Sequence, residues 1–185
     1  MSKKIVILNG SPRKGGNTAG LCEAFIEGAE STGHVAIQFD LQQLNIHGCL
    51  GCMKGGKDPA SPCVQKDDMD RIYPAYKDAD IIVLASPMYY WSVTSQLKAA
   101  FDRLFAVAEI DPNYQNPRKD CIMLMAAEGD SDSNWKPVLD YYRALLGHLG
   151  WKDRGVVLAG GVMNVGDIAG KPALEEARSL GASIS

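Results

Sequence analysis

Ile81-Ile-Val-Leu-Ala85 is apolar at every position, and a strand with no polar face has to be covered by protein on both sides, as in the centre of a parallel sheet. Ile5-Val-Ile-Leu8, Cys121 to Ala127 and Val156 to Ala159 read as further strands, and His34 to Leu41 alternates with Val35, Ile37, Phe39 and Leu41 on one face. Helical spacing fills the intervals. Leu21, Phe25 and Ala29 recur every fourth residue between Asn17 and about Ser31, with Gly33 as a stop. Val93, Leu97, Phe101 and Phe105 stand in register over Ser92 to Val107, Trp135 to Leu149 ends at Gly150, and Pro172 to Leu180 closes the chain. Five strands, each followed by a crossover, predict an α/β fold: one parallel sheet with helices on both faces, in a single domain spanning residues 1–185.

Charge narrows the function. The net charge is −3, with 19 Lys and Arg against 22 Asp and Glu spread along the chain. That balance argues against a nucleic-acid or anionic-membrane surface as the main partner. The apolar start at Ile5 to Leu8 is too short for a signal peptide or a bilayer span. Five cysteines without such a signal read as free thiols in a reducing compartment, and the expectation is a cytoplasmic protein.

The first strand runs into Asn9-Gly-Ser-Pro-Arg-Lys-Gly-Gly-Asn-Thr18. In an open parallel sheet, ligands bind beyond the carboxyl ends of the strands where strand order reverses. A helix N-terminus there offers free N–H groups and partial positive charge to a phosphate. This loop adds the hydroxyls of Ser11 and Thr18, the amide of Asn17 and the charges of Arg13 and Lys14, and no acid lies between Asn9 and Cys22. It is neither a Walker A loop nor Gly-x-Gly-x-x-Gly. An ordinary basic surface turn is the alternative.

The third strand ends in Ser86-Pro-Met-Tyr-Tyr-Trp-Ser92. A flat, partly apolar ring needs flat apolar partners and backbone amides for its heteroatoms. Met88, Tyr89, Tyr90 and Trp91 supply the first and the turn supplies the second; an aromatic cluster at a subunit interface is the alternative.

Gly-Ser-Pro-Arg-x-x-x-Asn-Thr after an Ile-Val-Ile-Leu strand resembles the FMN-phosphate loop of the NADPH-dependent FMN reductase and iron–sulfur flavoprotein family. Ser-Pro-x-Tyr, followed by a helix with Leu97, Lys98, Asp102 and Arg103, is similar to that family's isoalloxazine loop and trailing helix. The resemblance covers nearly the whole chain. It implies a flavodoxin-like three-layer sandwich with strand order 2-1-3-4-5, with Ser11, Arg13, Asn17 and Thr18 on the phosphate of FMN. Pro87, Met88, Tyr89, Tyr90, Trp91 and Ser92 would line the ring. It also implies a homodimer and an oxidoreductase in which NADPH or NADH reduces FMN and a small acceptor (flavin, quinone, azo or nitro compound, ferric complex) follows in ping-pong order. Asp102 and Arg103 read as a surface pair that steadies the helix. In the fourth loop, Ala126-Ala-Glu-Gly-Asp130, Glu128 is expected to point away, because a carboxylate beside a reduced anionic flavin is unfavourable.

Between the second strand and the next helix, Gln42 to Lys66 breaks the alternation, and a connection this long is usually functional or disordered. Asp67 or Asp68 would cap the helix that follows. Gly48-Cys-Leu-Gly-Cys-Met-Lys-Gly55 and Cys63 resemble the cysteine segment of iron–sulfur flavoproteins. A cluster needs four thiolates; this segment has Cys49, Cys52 and Cys63, with Gly55 where a third closely spaced cysteine is expected. Three thiolates with His47 would make a chemically allowed zinc set. The expectation is a loop kept without its metal, its cysteines acting as small apolar fillers. His34, His47 and His148 have no hydrolase motif around them, and no catalytic side chain is expected where a cofactor performs the hydride chemistry. Two other readings stand beside the enzyme: a flavodoxin-type electron carrier and a flavin-free binding module.

Overall fold

The computed structural model describes all 185 residues. Its strands are β1 (Lys4–Asn9), β2 (Val35–Asp40), β3 (Ile81–Pro87), β4 (Asp120–Ala126) and β5 (Lys152–Ala159), all parallel and in the order β2-β1-β3-β4-β5. The helices are α1 (Asn17–Ser31), α2 (Met69–Asp78), α3 (Ser95–Arg103), α4 (Phe105–Ala108), α5 (Asp132–Leu149) and α6 (Pro172–Ala182). This is the three-layer order expected from the sequence.

Alternation along each central strand sorts the side chains into two cores. Ile5, Ile7, Ile81, Val83, Ile122 and Leu124 face α1 and α6, where Leu21, Phe25 and Ala177 meet them. Val6, Leu8, Ile82, Leu84, Met123 and Met125 face the opposite way, toward Ile72 and Tyr76 of α2, Leu97 of α3 and Val138 and Tyr142 of α5. A strand buried on both faces has no polar position to spare, which is why β1, β3 and β4 are near-continuous apolar runs.

Three elements differ from the sequence expectation. The helix over Ser92 to Val107 starts only at Ser95, where Thr94 Oγ1 accepts from Leu97 N–H, and it breaks at Leu104. There the Leu104 N–H turns to Phe101 O, three residues back, tightening the turn and swinging Phe105 out of register. Phe105 is partly exposed and stacks on Tyr114 with ring centroids 6.1 Å apart. In β2, Val35 and Ile37 stay about half exposed because the strand lies at the sheet edge; Ala36 and Phe39 are the residues that reach the cores. Neither aspartate before α2 caps it through a first-turn N2 or N3 amide. Asp68 stands at the cap position without a capping bond, and Asp67 Oδ1 accepts from Met69 N–H, the first of the helix.

α1 and α6 cross at backbone contact. A Cβ built on Gly28 would lie 2.0 Å from Arg178 O, and one on Gly181 would lie 2.2 Å from Phe25 O. Hydrogen is the only side chain that fits either place. Gly28→Ala is therefore expected to push the two helices apart and to lose about 1–3 kcal/mol of stability. Urea denaturation of the variant checks this, and an unchanged midpoint would mean that the helices separate freely.

Candidate functional site

β1 and β3 lie side by side, so the loops that leave them emerge together at the reversal of strand order. Buried hydroxyls knot the two loops. Thr94 Oγ1 donates to Gly10 O at 2.8 Å, Thr94 N–H donates to Ser86 Oγ at 3.0 Å, and Gly10 N–H donates to Ala85 O at 2.8 Å. Ser86 and Thr94 are fully buried, so each of these groups needs its partner. Asn9 adds a second tie: its Nδ2 donates to Asp40 Oδ1 on β2 and its Oδ1 accepts from Ser11 N–H.

Beyond the knot, Ser11 Oγ accepts from Arg13 N–H and α1 begins at Asn17. Gly16 at the cap position brings no side-chain acceptor, and the first turn carries no acid. The helix end is thus left with its partial positive charge unanswered at a cleft that Asn17 and Thr18 line. Arg13 and Asn17 also reach across to the loop between β5 and α6. Arg13 Nη1 donates to Met163 O, Asn17 Nδ2 donates to Asn164 O at 2.9 Å, and Ile168 N–H donates to Asn17 Oδ1 at 3.1 Å. Asp167 closes that loop on itself. Its carboxylate accepts from the N–H groups of Met163 and Asn164, which hold it below the usual carboxylate range. This third wall was not anticipated; its signal in the sequence is the turn chemistry of Asn164-Val-Gly-Asp167 just after a strand.

The cleft has a volume of about 270 Å³. Ser11, Arg13, Asn17 and Thr18 line one end, Pro87, Met88 and Tyr89 another, and Ala126, Ala127, Glu128, Val162 and Met163 the remainder. Tyr90 and Trp91 line an adjoining cleft of about 230 Å³ that shares Met88, Ala127 and Glu128 with the first. Ser92 lines neither and closes the turn. Tyr89 and Ser92 exchange backbone bonds at 3.0 and 3.1 Å around Tyr90 (φ 48°) and Trp91 (φ 60°). Both central residues are left-handed, as in a type I′ turn, a conformation that costs a bulky L-residue roughly 1–2 kcal/mol. Tyr90 is 95% and Trp91 55% exposed. Two large aromatic residues are therefore held in strain at the rim of a cleft, the usual location of stored strain. Glu128, expected to turn away, is exposed on the short turn after β4 and lines both clefts. Asn134, at the start of α5, also lines the second cleft, and its Nδ2 is buried without an acceptor.

The cysteine segment is fastened separately. Asp102 pairs with Lys98 on the surface, but Arg103 points inward and is buried, which corrects the expectation of a surface pair. Its Nη1 donates to Asp67 Oδ2 at 2.7 Å and His47 O at 2.9 Å, and its Nη2 to Asp67 Oδ1 at 3.1 Å and Gln65 O at 3.3 Å. One guanidinium thereby holds both ends of the segment against α3. Burial pushes the Asp67 carboxyl up, but the Arg103 guanidinium and the N–H groups of His47 and Met69 outweigh it and hold it below its usual range. Cys49 is exposed, Cys52 and Cys63 are partly buried, and all three line a cavity of about 30 Å³ that shares no residue with the two clefts.

Comparison with known proteins bears on the family and the fold. The model of the family described as NADPH-dependent FMN reductase matches residues 3–161. An iron-sulfur flavoprotein of Archaeoglobus fulgidus is 30% identical over 185 residues, covering 98% of this chain and 79% of that one. An iron-sulfur flavoprotein of Methanosarcina thermophila is 37% identical over 100 residues, which cover 54% of this chain and about half, 51%, of its own length. Among solved structures, the NAD(P)H:quinone oxidoreductase from Methanothermobacter marburgensis superposes with a TM-score of 0.76 at 21% identity, covering 98% of this chain and 96% of that one. At that identity the likeness concerns the fold.

The Arg103–Asp67 pair makes a prediction with a definite sign. Asp67 titrates lower folded than unfolded, so its contribution is present above about pH 4 and is lost as pH falls through the folded value. Arg103→Met leaves a buried carboxylate without its counter-charge and is expected to cost about 3–5 kcal/mol at neutral pH, while the acid-side decline flattens or reverses. Urea denaturation across pH checks both parts. Equal midpoints at neutral pH would show the pair to be idle.

Proposed function

The chain belongs to the NADPH-dependent FMN reductase family, and we propose that its two joined clefts seat FMN and pass electrons from a reduced nicotinamide to a small acceptor. The observation that carries this reading is an uncapped, acid-free helix N-terminus at one end of a cleft whose other end is a strained aromatic turn. The residues fit the cofactor in kind. The start of α1 with Ser11 and Thr18 suits a phosphate, Met88, Ala126, Ala127 and Val162 suit an apolar ring, and the free Nδ2 of Asn134 suits a ring carbonyl.

FMN, when bound, supplies the hydride chemistry. The chain's part is placement. Ser11 and Thr18 would donate to the phosphate and Arg13 would add charge beside it, while Arg13 and Asn17 hold the β5–α6 loop as the third wall. Tyr89, Tyr90 and Trp91 form an aromatic rim that would support the ring and an incoming planar substrate. None of the three histidines lines either cleft. His34, for one, accepts from Lys3 N–H at Nδ1 and donates from Nε2 to Ile184 O, a bond that anchors the last residues. No protein acid or base is assigned a step, and donor and acceptor take turns at one open cleft in ping-pong order. Tyr90, almost wholly exposed on its strained turn, is read as covered by a second subunit in a homodimer. Five free cysteines fit a cytoplasmic location, and no helix is long and apolar enough to cross a membrane.

An absorbance spectrum of the purified protein, taken without oxygen before and after NADPH or NADH, tests the proposal. Flavin bands that bleach on addition are expected. Bands that persist with both donors would indicate an electron carrier, and no bands after added FMN a flavin-free module.

Arg13→Ala is expected to weaken FMN retention by about 1.5–3 kcal/mol, the scale of a charge-assisted hydrogen bond. Titration of the apoprotein with FMN measures it, and unchanged affinity would refute the phosphate assignment.

A further inference from the structure

Two of the relatives are named for an iron–sulfur cluster, and the cysteine segment is where such a group would sit. A cubane cluster needs four thiolates converging on a space large enough for its iron and sulfide. The segment supplies three. Cys22 and Cys121 are buried inside α1 and β4, in positions that contribute to the cores. At the place of the missing ligand, a Cβ built on Gly55 would lie 2.2 Å from Glu109 Oε2. As placed, the end of the Glu109 side chain lies in the room a cysteine at 55 would need, and the Pro62 carbonyl oxygen stands 3.0 Å from the same point. Cys49, Cys52, Cys63 and Glu109 line one cavity of about 30 Å³. Across the chain, no three cysteine, histidine, aspartate or glutamate side chains gather closely enough to share an ion.

What fastens the segment is visible instead. Arg103 bonds His47 O near its start, Gln65 O near its end and both oxygens of Asp67. Gly56 N–H donates to Pro62 O at 2.9 Å and closes the interior of the loop.

We infer that this chain builds no iron–sulfur cluster: Glu109 stands in the fourth ligand's place, the Arg103–Asp67 pair fastens the cysteine segment, and FMN is the single redox centre. The last clause rests on the function proposed above. It narrows the acceptor class. With no second centre to carry electrons outward, the flavin is their only exit, so an acceptor has to reach the ring at the cleft.

The test uses the whole protein, expressed with ample iron and purified without oxygen. Iron and acid-labile sulfide are assayed, and thiols are alkylated with iodoacetamide with and without an iron chelator, then mapped by mass spectrometry. Iron and sulfide far below one cluster per chain are expected, with Cys49 alkylated equally fast in both conditions. Stoichiometric iron and sulfide, with Cys49, Cys52 and Cys63 protected until the chelator is added, would overturn the inference. Reconstitution with ferrous iron and sulfide probes the reason given. Gly55→Cys combined with Glu109→Ala is expected to gain a cluster that the unaltered chain does not take up, and stoichiometric uptake by the unaltered chain would overturn the inference too. If the protein proves unable to bind FMN, the proposed function fails, while the metal, sulfide and alkylation results still decide this inference on their own.

Discussion

One threonine hydroxyl joins the two halves of the site. Thr94 Oγ1 donates to the carbonyl of Gly10 in the first loop and accepts from Leu97 N–H at the head of α3. Its own N–H is taken by Ser86 Oγ at the end of β3. Inside protein, where no water is at hand, each of these groups would cost about 1–3 kcal/mol if left without a partner. The two loops therefore have one mutually satisfied arrangement, and the distance from the start of α1 to the aromatic turn is set by buried bonds. The sheet brings the loops to the same edge, and the knot fixes their relation.

The remaining walls are attached to this pair. Asn17 gives one amide N–H and its oxygen to the β5–α6 loop, and Met88 N–H donates to Ala126 O, which ties the aromatic loop to the end of β4. Side chains that look from the sequence like direct phosphate ligands thus also work as struts. The two roles agree, since a helix N-terminus presents backbone donors to an anion only if the chain around it is held still. Tyr90 and Trp91 are the converse case. They are exposed and strained, on a turn closed by the backbone bonds of Tyr89 and Ser92, so the rim is the part of the site free to respond to what binds.

Much of the fold is legible because central parallel strands leave no choice of residue. Ile81 to Ala85 and Cys121 to Ala126 are apolar on both faces for the same reason that they lie in mid-sheet. The phosphate loop is legible from its lack of acids. Features decided by contacts remote in sequence are not. Nothing near Leu104 announces that the helix tightens there, and Asp102 and Arg103 are adjacent charges of which one is solvated and the other buried against a carboxylate 36 residues earlier. The role of residues 162–168 as a wall depends on where β5 falls in the sheet, which local pattern does not encode. Asn134 reads as an ordinary first-turn residue until its unpaired amide is seen in the cleft.

The contact between Gly55 and Glu109 also ties two positions together. A cysteine introduced at 55 alone would meet a carboxylate, and a change at 109 alone would leave three thiols and an empty corner. As the side chains stand, neither single step brings the gain that the two bring together, and the first carries a steric penalty. A fourth ligand at this corner would therefore take a cysteine at 55 together with either a change at 109 or a swing of the Glu109 carboxylate out of the way.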